Sequence, residues 1–293
     1  VRIGMIGLGS IAEKAYLPVL ASAGVELVLC TRDRRRLDML AGLYRVRERV
    51  TSVNALLGYG IDAAFVHAAT EAHGPIVTEL IEAGVPVYVD KPLAYRLEDA
   101  AALVRLADGR GVPLMVGFNR RYAPGYAALL DRPRDLIVLQ KNRSGPLQDP
   151  RVTVLDDFIH VVDTLRFLAA GPFEARVRTR TREGLLEHVA LTLEGDGWTA
   201  FGAMSRTSGV DEETCEVIGG GSKRKVVNLG DVVDYSGGET LRRRPDWTPA
   251  THQRGITQAC ATFLDAIRSG RPLSAADALE THTLCERIVQ AAT

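Results

Sequence analysis

No apolar run in the 293 residues approaches the roughly 18 needed to cross a bilayer, so no membrane-spanning helix is expected. Cysteine is scarce. Cys30, Cys215, Cys260 and Cys285 are far apart and form no C-x-x-C pair. A disulfide scaffold and a zinc ribbon are therefore not expected, and the pattern fits a reducing, cytoplasmic setting. Surplus charge is absent: 36 Lys and Arg face 36 Asp and Glu, for zero formal net charge. That removes any global pull toward nucleic acid or an anionic membrane surface. No positively charged lead-in precedes the first apolar run, which glycines soon interrupt, so a secretory leader is not expected. There is no internal repeat and no low-complexity tract. Hydrophobic residues at 46% and charged residues at 25% are ordinary for a globular chain of one or two domains.

What is present starts at the first residues, Val-Arg-Ile-Gly-Met-Ile-Gly-Leu-Gly-Ser-Ile-Ala. A short apolar run, Ile3 to Ile6, meets Gly7-x-Gly9-x-x-Ala12, and a helical pattern follows. This is the strand–turn–helix of a dinucleotide-binding unit. Gly7 permits the tight turn, Gly9 lets the backbone approach a pyrophosphate, and Ala12 allows close helix–strand packing. The helix start, at Ser10 and Ile11, offers free N–H groups to phosphates.

Along the chain, apolar strands alternate with helices: a helix over 11–23, a strand over 25–30, a helix over 34–43 and a strand over 61–68. A helix over 75–83, a strand over 86–90, a helix over 97–108 and a strand over 113–118 follow. Strands apolar on both faces and spaced by helices imply a parallel sheet covered on both sides. After Phe118 the rhythm changes. A helix over 123–130, a strand over 135–143 and a helix over 154–169 lead into alternating strands over 174–181, 185–194, 199–207, 213–218 and 225–229. These suit an antiparallel sheet with one covered face. Gly219-Gly220-Gly221 reads as a hairpin turn, and Lys223-Arg224-Lys225 as a solvated loop end. Helices over 257–269 and 275–292 close the chain. We place the domain boundary after residue 118, giving a dinucleotide-binding domain over 1–118 and an α+β domain over 119–293.

Candidate chemistry gathers at strand ends, where ligands bind in open α/β sheets. Lys91 in Asp90-Lys91-Pro92 would point into the crevice of Gly7-x-Gly9, and Lys91-Pro92 is a candidate cis bond. Thr70 and His73 would flank a bound cofactor or cap the next helix. His67, within its strand, reads as a buried, hydrogen-bonded residue. Of Arg120 and Arg121 in Asn119-Arg-Arg-Tyr122, at least one should face the crevice. Asp156, His160 and Asp163, at i, i+4 and i+7, form one helical stripe suited to acid–base work or, alternatively, a cap plus a core histidine. No further His or Cys joins them, so no metal site is expected.

These pieces resemble the glucose–fructose oxidoreductase / inositol dehydrogenase / MocA family over essentially the whole length. The matches are Gly-Leu-Gly-Ser-Ile-Ala, Thr-Glu-Ala-His at 70–73, Asp-Lys-Pro-Leu-Ala at 90–94, Gly-Phe-Asn-Arg-Arg-Tyr at 117–122 and Asp-x-x-x-His at 156–160. Phe-Val-His-Ala-Ala-Thr at 65–70 and Leu-Asp-Asp-Phe-Ile-His at 155–160 are similar to the MviM-like branch. The resemblance implies a Rossmann domain followed by an α+β domain with an open, mostly antiparallel sheet that often serves as a dimer interface. It also implies a nicotinamide cofactor and a sugar, polyol or related substrate. Lys91 matches the family's catalytic lysine, and Asp156 and His160 its substrate-domain acid and histidine. Two departures stand out: Asp90 where Glu is usual before the lysine, and Arg151 to Leu155 where a glycine-rich lead is common.

The expected function is NAD(P)-dependent oxidation of a secondary alcohol, or its reverse; the alternative is a non-catalytic cofactor-binding sensor or scaffold. The expected cofactor set is Gly7, Gly9, Ser10, Ile11, Thr31, Arg32, Arg36, Thr70, His73, Lys91, Pro92 and Asn119. The expected substrate set is Lys91, Arg121, Tyr122, Lys141, Asp156 and His160. NADP(H) is favoured over NAD(H), because Thr31 stands where an acidic residue would take the ribose hydroxyl, with Arg32 and Arg36 nearby for a 2′-phosphate. Asp33 would take the NAD role if the strand ran two residues further. A homodimer or homotetramer is expected through outward apolar positions in 189–193 and 199–204.

Overall fold

The computed structural model describes residues 1–293, which divide into two compact units. The first comprises Val1–Phe118 together with Ile256–Glu280, and the second Asn119–Gly255 with Thr281–Thr293.

In the first unit, β1 (Arg2–Ile6), β2 (Glu26–Cys30), β3 (Glu48–Val50), β4 (Ala63–Val66), β5 (Val87–Val89) and β6 (Leu114–Val116) make a parallel six-stranded sheet in the order β3-β2-β1-β4-β5-β6. β3 is a short edge strand with charged residues that the sequence reading passed over, as it did α3 (Val53–Leu57). The strand order turns around at β1, which pairs with β2 through Ile6↔Cys30 and with β4 through Ile6↔Val66. The crevice that such a reversal opens lies at the carboxyl ends of these three strands. A π-helical turn (Ala12–Tyr16) runs into α1 (Leu17–Leu20), and α2 (Arg34–Tyr44), α4 (Thr70–Glu82) and α5 (Leu97–Arg110) complete the alternation. α4 begins five residues before the expected start, because Pro75 is carried inside the helix instead of opening it.

The expected boundary gave everything after 118 to the second domain; the structure returns Ile256–Glu280 to the first unit. The cause is apolar packing. Phe263, on α10 (Ile256–Ser269), sits edge-on to Phe65 and Tyr88, with ring centroids 5.2 and 5.7 Å apart.

In the second unit, α6 (Pro124–Ala127) leads to β7 (Leu136–Ser144). Then come α7 (Pro150–Thr153), a π-helical turn (Val154–Phe158) and α8 (Ile159–Leu168). The helical stretch starts four residues before the expected 154, because Asp149 caps it, accepting from the amides of Arg151 and Val152, with Pro150 in the first turn. β8 (Glu174–Arg182), β9 (Leu185–Gly195), β10 (Trp198–Ser205), β11 (Thr207–Gly219), β12 (Ser222–Val227), β13 (Asp231–Tyr235) and β14 (Glu239–Arg242) join β7 in an eight-stranded sheet, ordered β14-β13-β12-β11-β7-β10-β9-β8. Every pairing is antiparallel except β7 with β10. The glycines at 219–221 do form the β11–β12 turn. Lys223 to Lys225 are not a loop end: they pair with β13, and Glu216 and Asp234 neutralise them.

α8 packs on one face of this sheet. A Cβ at Gly202 would lie 2.5 Å from Val161 and 2.7 Å from Leu165, so only glycine lets helix and strand approach this closely. Val189, Leu191, Leu193, Ala200 and Met204, expected partly outside, are buried on the helix-covered side. The other face carries Phe201 and Leu136, 39% and 38% exposed. α9 (Ala250–Gln253) and α11 (Ala276–Ala292) complete the elements, and no helix is long and apolar enough to cross a membrane.

Candidate active site

In the first unit, a cleft of about 530 Å³ opens at the strand reversal, walled by Gly7, Leu8, Gly9, Thr31, Arg32, His67 and Ala68 among others. Gly7 has φ +82°, and a Cβ there would stand 2.4 Å from the amide nitrogen of Ala68. The turn therefore requires glycine for conformation and for space. Gly9 has nothing within 4 Å of a built Cβ, leaving its backbone open to a ligand. Ser10 and Ile11, both exposed, open the helical turn directly after it.

β2 ends at Cys30, so Thr31 is the first residue past the strand, and Thr31 and Arg32 line the cleft. Asp33 is not at the strand end; it caps α2, accepting from the amide of Arg36 at 3.1 Å. Arg36 lines the cleft, but its guanidinium is tied to the Leu8 carbonyl and to Glu13 (2.5 Å). Its task here is to brace the glycine turn, in place of the expected phosphate contact.

Thr70 lies in the first turn of α4, and the cleft wall on that side is Ala69, Ala72, Pro75 and Ile76. His73 is 1% exposed, with Nδ1 3.0 Å from the Pro92 carbonyl and Nε2 3.0 Å from that of Ala68. Burial lowers its pKa, against the pull of these carbonyls. It braces the Lys91-Pro92 turn from below and is not open to a cofactor. Lys91-Pro92 is cis, and the Lys91 amide donates to Asp90 Oδ1 at 2.9 Å. His67 is buried as expected but not hydrogen-bonded: neither ring nitrogen has a hydrogen-bond partner, Nδ1 lies 3.9 Å from Asp90 Oδ2, and the ring stacks on Tyr16 at 3.9 Å.

In the second unit, the 3-10 turn Asn119–Tyr122 feeds the polar cluster around His160. Successive residues of such a turn project about 120° apart. Arg120 turns inward, Nη1 donating to His160 Nε2 at 3.2 Å, while Nε and Nη2 donate to the two Glu213 oxygens at 3.3 and 3.1 Å. Guanidinium has no acceptor, so His160 Nε2 accepts and the ring proton sits on Nδ1. Arg121, the expected substrate ligand, instead clamps Asp163 at 2.6–3.1 Å. Asp163 is buried, which pushes its carboxyl up against the pull of Arg121, and it also accepts from Thr281. Asp163 thus leaves the expected stripe with Asp156 and His160. Asn119, expected at the cofactor, donates to the Arg254 carbonyl at 2.7 Å and accepts from Arg120. Tyr122 ends the turn half-buried, as Asp156 is half-buried in the π turn before α8.

Lys141 is 1% exposed on the helix-covered face of β7, its Nζ 3.1 Å from Asp157 Oδ1. It therefore lies beneath the site instead of meeting substrate. Burial pulls its pKa down to about 8, against the attraction of Asp157. Asp157, unnoticed in sequence, also accepts from Arg206 at 2.7 Å and lies 3.5 Å from Arg143. Burial alone would push its carboxyl up, but Lys141, Arg143 and Arg206 hold it below the usual range. Glu213, Asp157 and Arg206 are thus the members that sequence reading missed, Arg120 is the one of the two adjacent arginines that joins them, and Lys91 belongs to the first unit.

The first-unit cleft fits a dinucleotide: a glycine turn that admits no side chain, an open backbone at Gly9, and orphaned polar atoms at His67 beside it. Comparison with known proteins agrees. Residues 1–118 match the family model described as an oxidoreductase family with an NAD-binding Rossmann fold, and 130–234 match a YceM-like C-terminal domain. The protein YceM of Salmonella typhimurium is 36% identical over 99% of this chain and 96% of its own. A dehydrogenase (MviM) from Clostridium difficile superposes with TM-score 0.94 at 31% identity, covering 99% of both chains. Myo-inositol dehydrogenase Hyg17 of Streptomyces leeuwenhoekii is 34% identical over 57% of this chain and 55% of its own.

Proposed function

The chain belongs to the Gfo/Idh/MocA oxidoreductase family, with its NAD-binding Rossmann fold, and from that we propose that it interconverts a secondary alcohol and a carbonyl on a sugar, polyol or related small molecule. The observation that carries the reading is the Gly7 turn, closed against Ala68 so tightly that only glycine fits, at the mouth of a cleft sized for a dinucleotide. When bound, the nicotinamide cofactor supplies or accepts the hydride. This chain's residues must then hold substrate and move one proton. We assign the proton to His160 and the bonding of the substrate oxygen to Lys91, with Asp156 orienting the pair. A panel of sugars, polyols and their keto or lactone forms, read by cofactor absorbance, tests the reading. Cofactor binding without turnover on any of them overturns it in favour of a sensor.

We further propose that NADP(H) is preferred. Thr31 and Arg32 are the residues assigned to the 2′-phosphate, since the strand ends at Cys30 and Asp33 is engaged as a helix cap. A charged hydrogen bond of this kind is worth about tenfold or more in affinity. Arg32→Ala should therefore weaken NADPH about tenfold and leave NADH nearly unchanged in calorimetric titrations; equal losses for both refute the assignment.

Assembly completes the proposal. Leu136, Val138, Phe201 and Ala203 lie on the sheet face that α8 does not cover, and we assign that face to a homodimer or homotetramer contact. Light scattering at micromolar concentration should give a multiple of the 31.8 kDa chain mass, falling to one chain mass in Phe201→Glu. A monomeric wild type removes this part of the reading.

A further inference from the structure

The cations of the cluster around His160 are matched. Arg120 is bound by Glu213, Asn119 and His160, and Arg121 by Asp163. Lys141, Arg143 and Arg206 converge on Asp157, and Arg143 also reaches Asp211 at 3.6 Å. Arg254 is the exception: its guanidinium makes no ion pair and no hydrogen bond.

Its backbone, by contrast, is fixed. Asn119 Nδ2 donates to the Arg254 carbonyl at 2.7 Å, and the Arg254 amide donates to Ala250 at 3.0 Å. Gly255, at φ +77°, packs so closely that a Cβ would stand 2.2 Å from the Asn119 carbonyl. The chain is thus locked against the turn that carries Arg120 to His160. Arg254 is exposed, yet desolvation of its guanidinium and the neighbouring Arg120 and Arg143 lower its pKa, with Glu213 opposing. A guanidinium held beside two others, without a carboxylate of its own, is stabilised by an anion from outside.

We propose that the substrate carries an anionic group, a carboxylate or a phosphate, and that Arg254 binds it. This rests on the dehydrogenase reading for what happens next to the bound molecule, but not for the binding itself. The guanidinium fork suits either group through paired N–H···O bonds. Such a contact fixes the end of a sugar acid or sugar phosphate and leaves its hydroxyls free to meet His160.

The test is calorimetric titration of the full-length protein, wild type and Arg254→Gln, with four probes. D-gluconate and D-glucose 6-phosphate carry the two anionic groups; D-sorbitol and D-glucose are their neutral counterparts. The variant side chain makes no contact that folding needs, and an unchanged melting temperature checks this. At least one anionic probe should bind wild type about tenfold or more tightly than its neutral counterpart, and Arg254→Gln should bring that ratio to about one. Which probe shows the ratio distinguishes carboxylate from phosphate. Equal binding of charged and neutral probes, no anion binding at millimolar concentration, or a ratio that survives Arg254→Gln overturns the proposal. Anion binding that depends on Arg254, with no turnover of any alcohol, sustains it and overturns the dehydrogenase reading. Turnover of neutral polyols alone, indifferent to Arg254→Gln, does the reverse.

Discussion

His160→Ala is expected to lower turnover by about 10²–10⁴-fold, the usual worth of a positioned acid–base group. Cofactor affinity should stay within about twofold, because neither His160 nor its partner Arg120 lines the cofactor cleft. The imidazole is 8% exposed and its tautomer is imposed by Arg120, so its geometry is set before substrate arrives. To take a proton on Nε2 the ring must exchange the Arg120 bond for one to the substrate hydroxyl. An exchange of that kind makes the variant a test of chemistry and not of folding. Lys91→Ala should cost at least about tenfold in turnover by removing the proposed partner of the developing alkoxide. The backbone around Lys91 is held by Asp90 and, through Pro92, by His73, so the deletion leaves the turn in place. Wild-type turnover in either variant sinks that residue's assignment.

How far the site could be read from sequence depended on the range of the interaction. Gly7 and Gly9 were legible because a strand–turn–helix is a local structure whose residue demands are local. Lys91 and His160 were legible from motif likeness. Arg120 and Arg121 were not separable, since adjacent residues of one charge differ only in where a 3-10 turn points them. Asp157 was missed because a count of 3.6 residues per turn was applied to a stretch whose first turn is π-helical, with its amide bond running from Ile159 to Val154. Glu213 was out of reach altogether. It meets Lys141 through the register of β7 against β11, and Tyr126 and Arg120 through tertiary packing. Sheet register over such separations is fixed by which faces are buried, and a single chain does not spell that out. The same holds for Phe263, whose place against Phe65 and Tyr88 returns a late segment to the first unit.

Glu213→Ala is expected to be the most destabilising single change in the second unit, by about 3–5 kcal/mol, because it strands the buried Arg120 charge. On a domain of this size that corresponds to a melting temperature roughly 6–20 °C lower. Glu213 is 8% exposed and accepts from Arg120 twice and from Tyr126 at 3.2 Å, so alanine leaves three donors unmatched. Glu213→Gln keeps the shape and one acceptor, and its loss should fall between the two. The pH dependence has a definite sign. Burial pushes the Glu213 carboxyl up, but Arg120, Lys141 and the Tyr126 hydroxyl more than offset it and hold it below the usual glutamate value. A carboxyl depressed in the folded state stabilises fully above its unfolded pKa, about 4.3, and that contribution fades as pH falls toward the folded value. The gap between wild type and Glu213→Ala should therefore be flat from neutral pH to about 5 and shrink below about 4. Denaturant titrations at pH 7 and at pH 3.5 measure both ends. A gap that is the same at the two pH values would show that the loss comes from packing alone and that Glu213 does not hold Arg120, and through it the His160 ring, by charge.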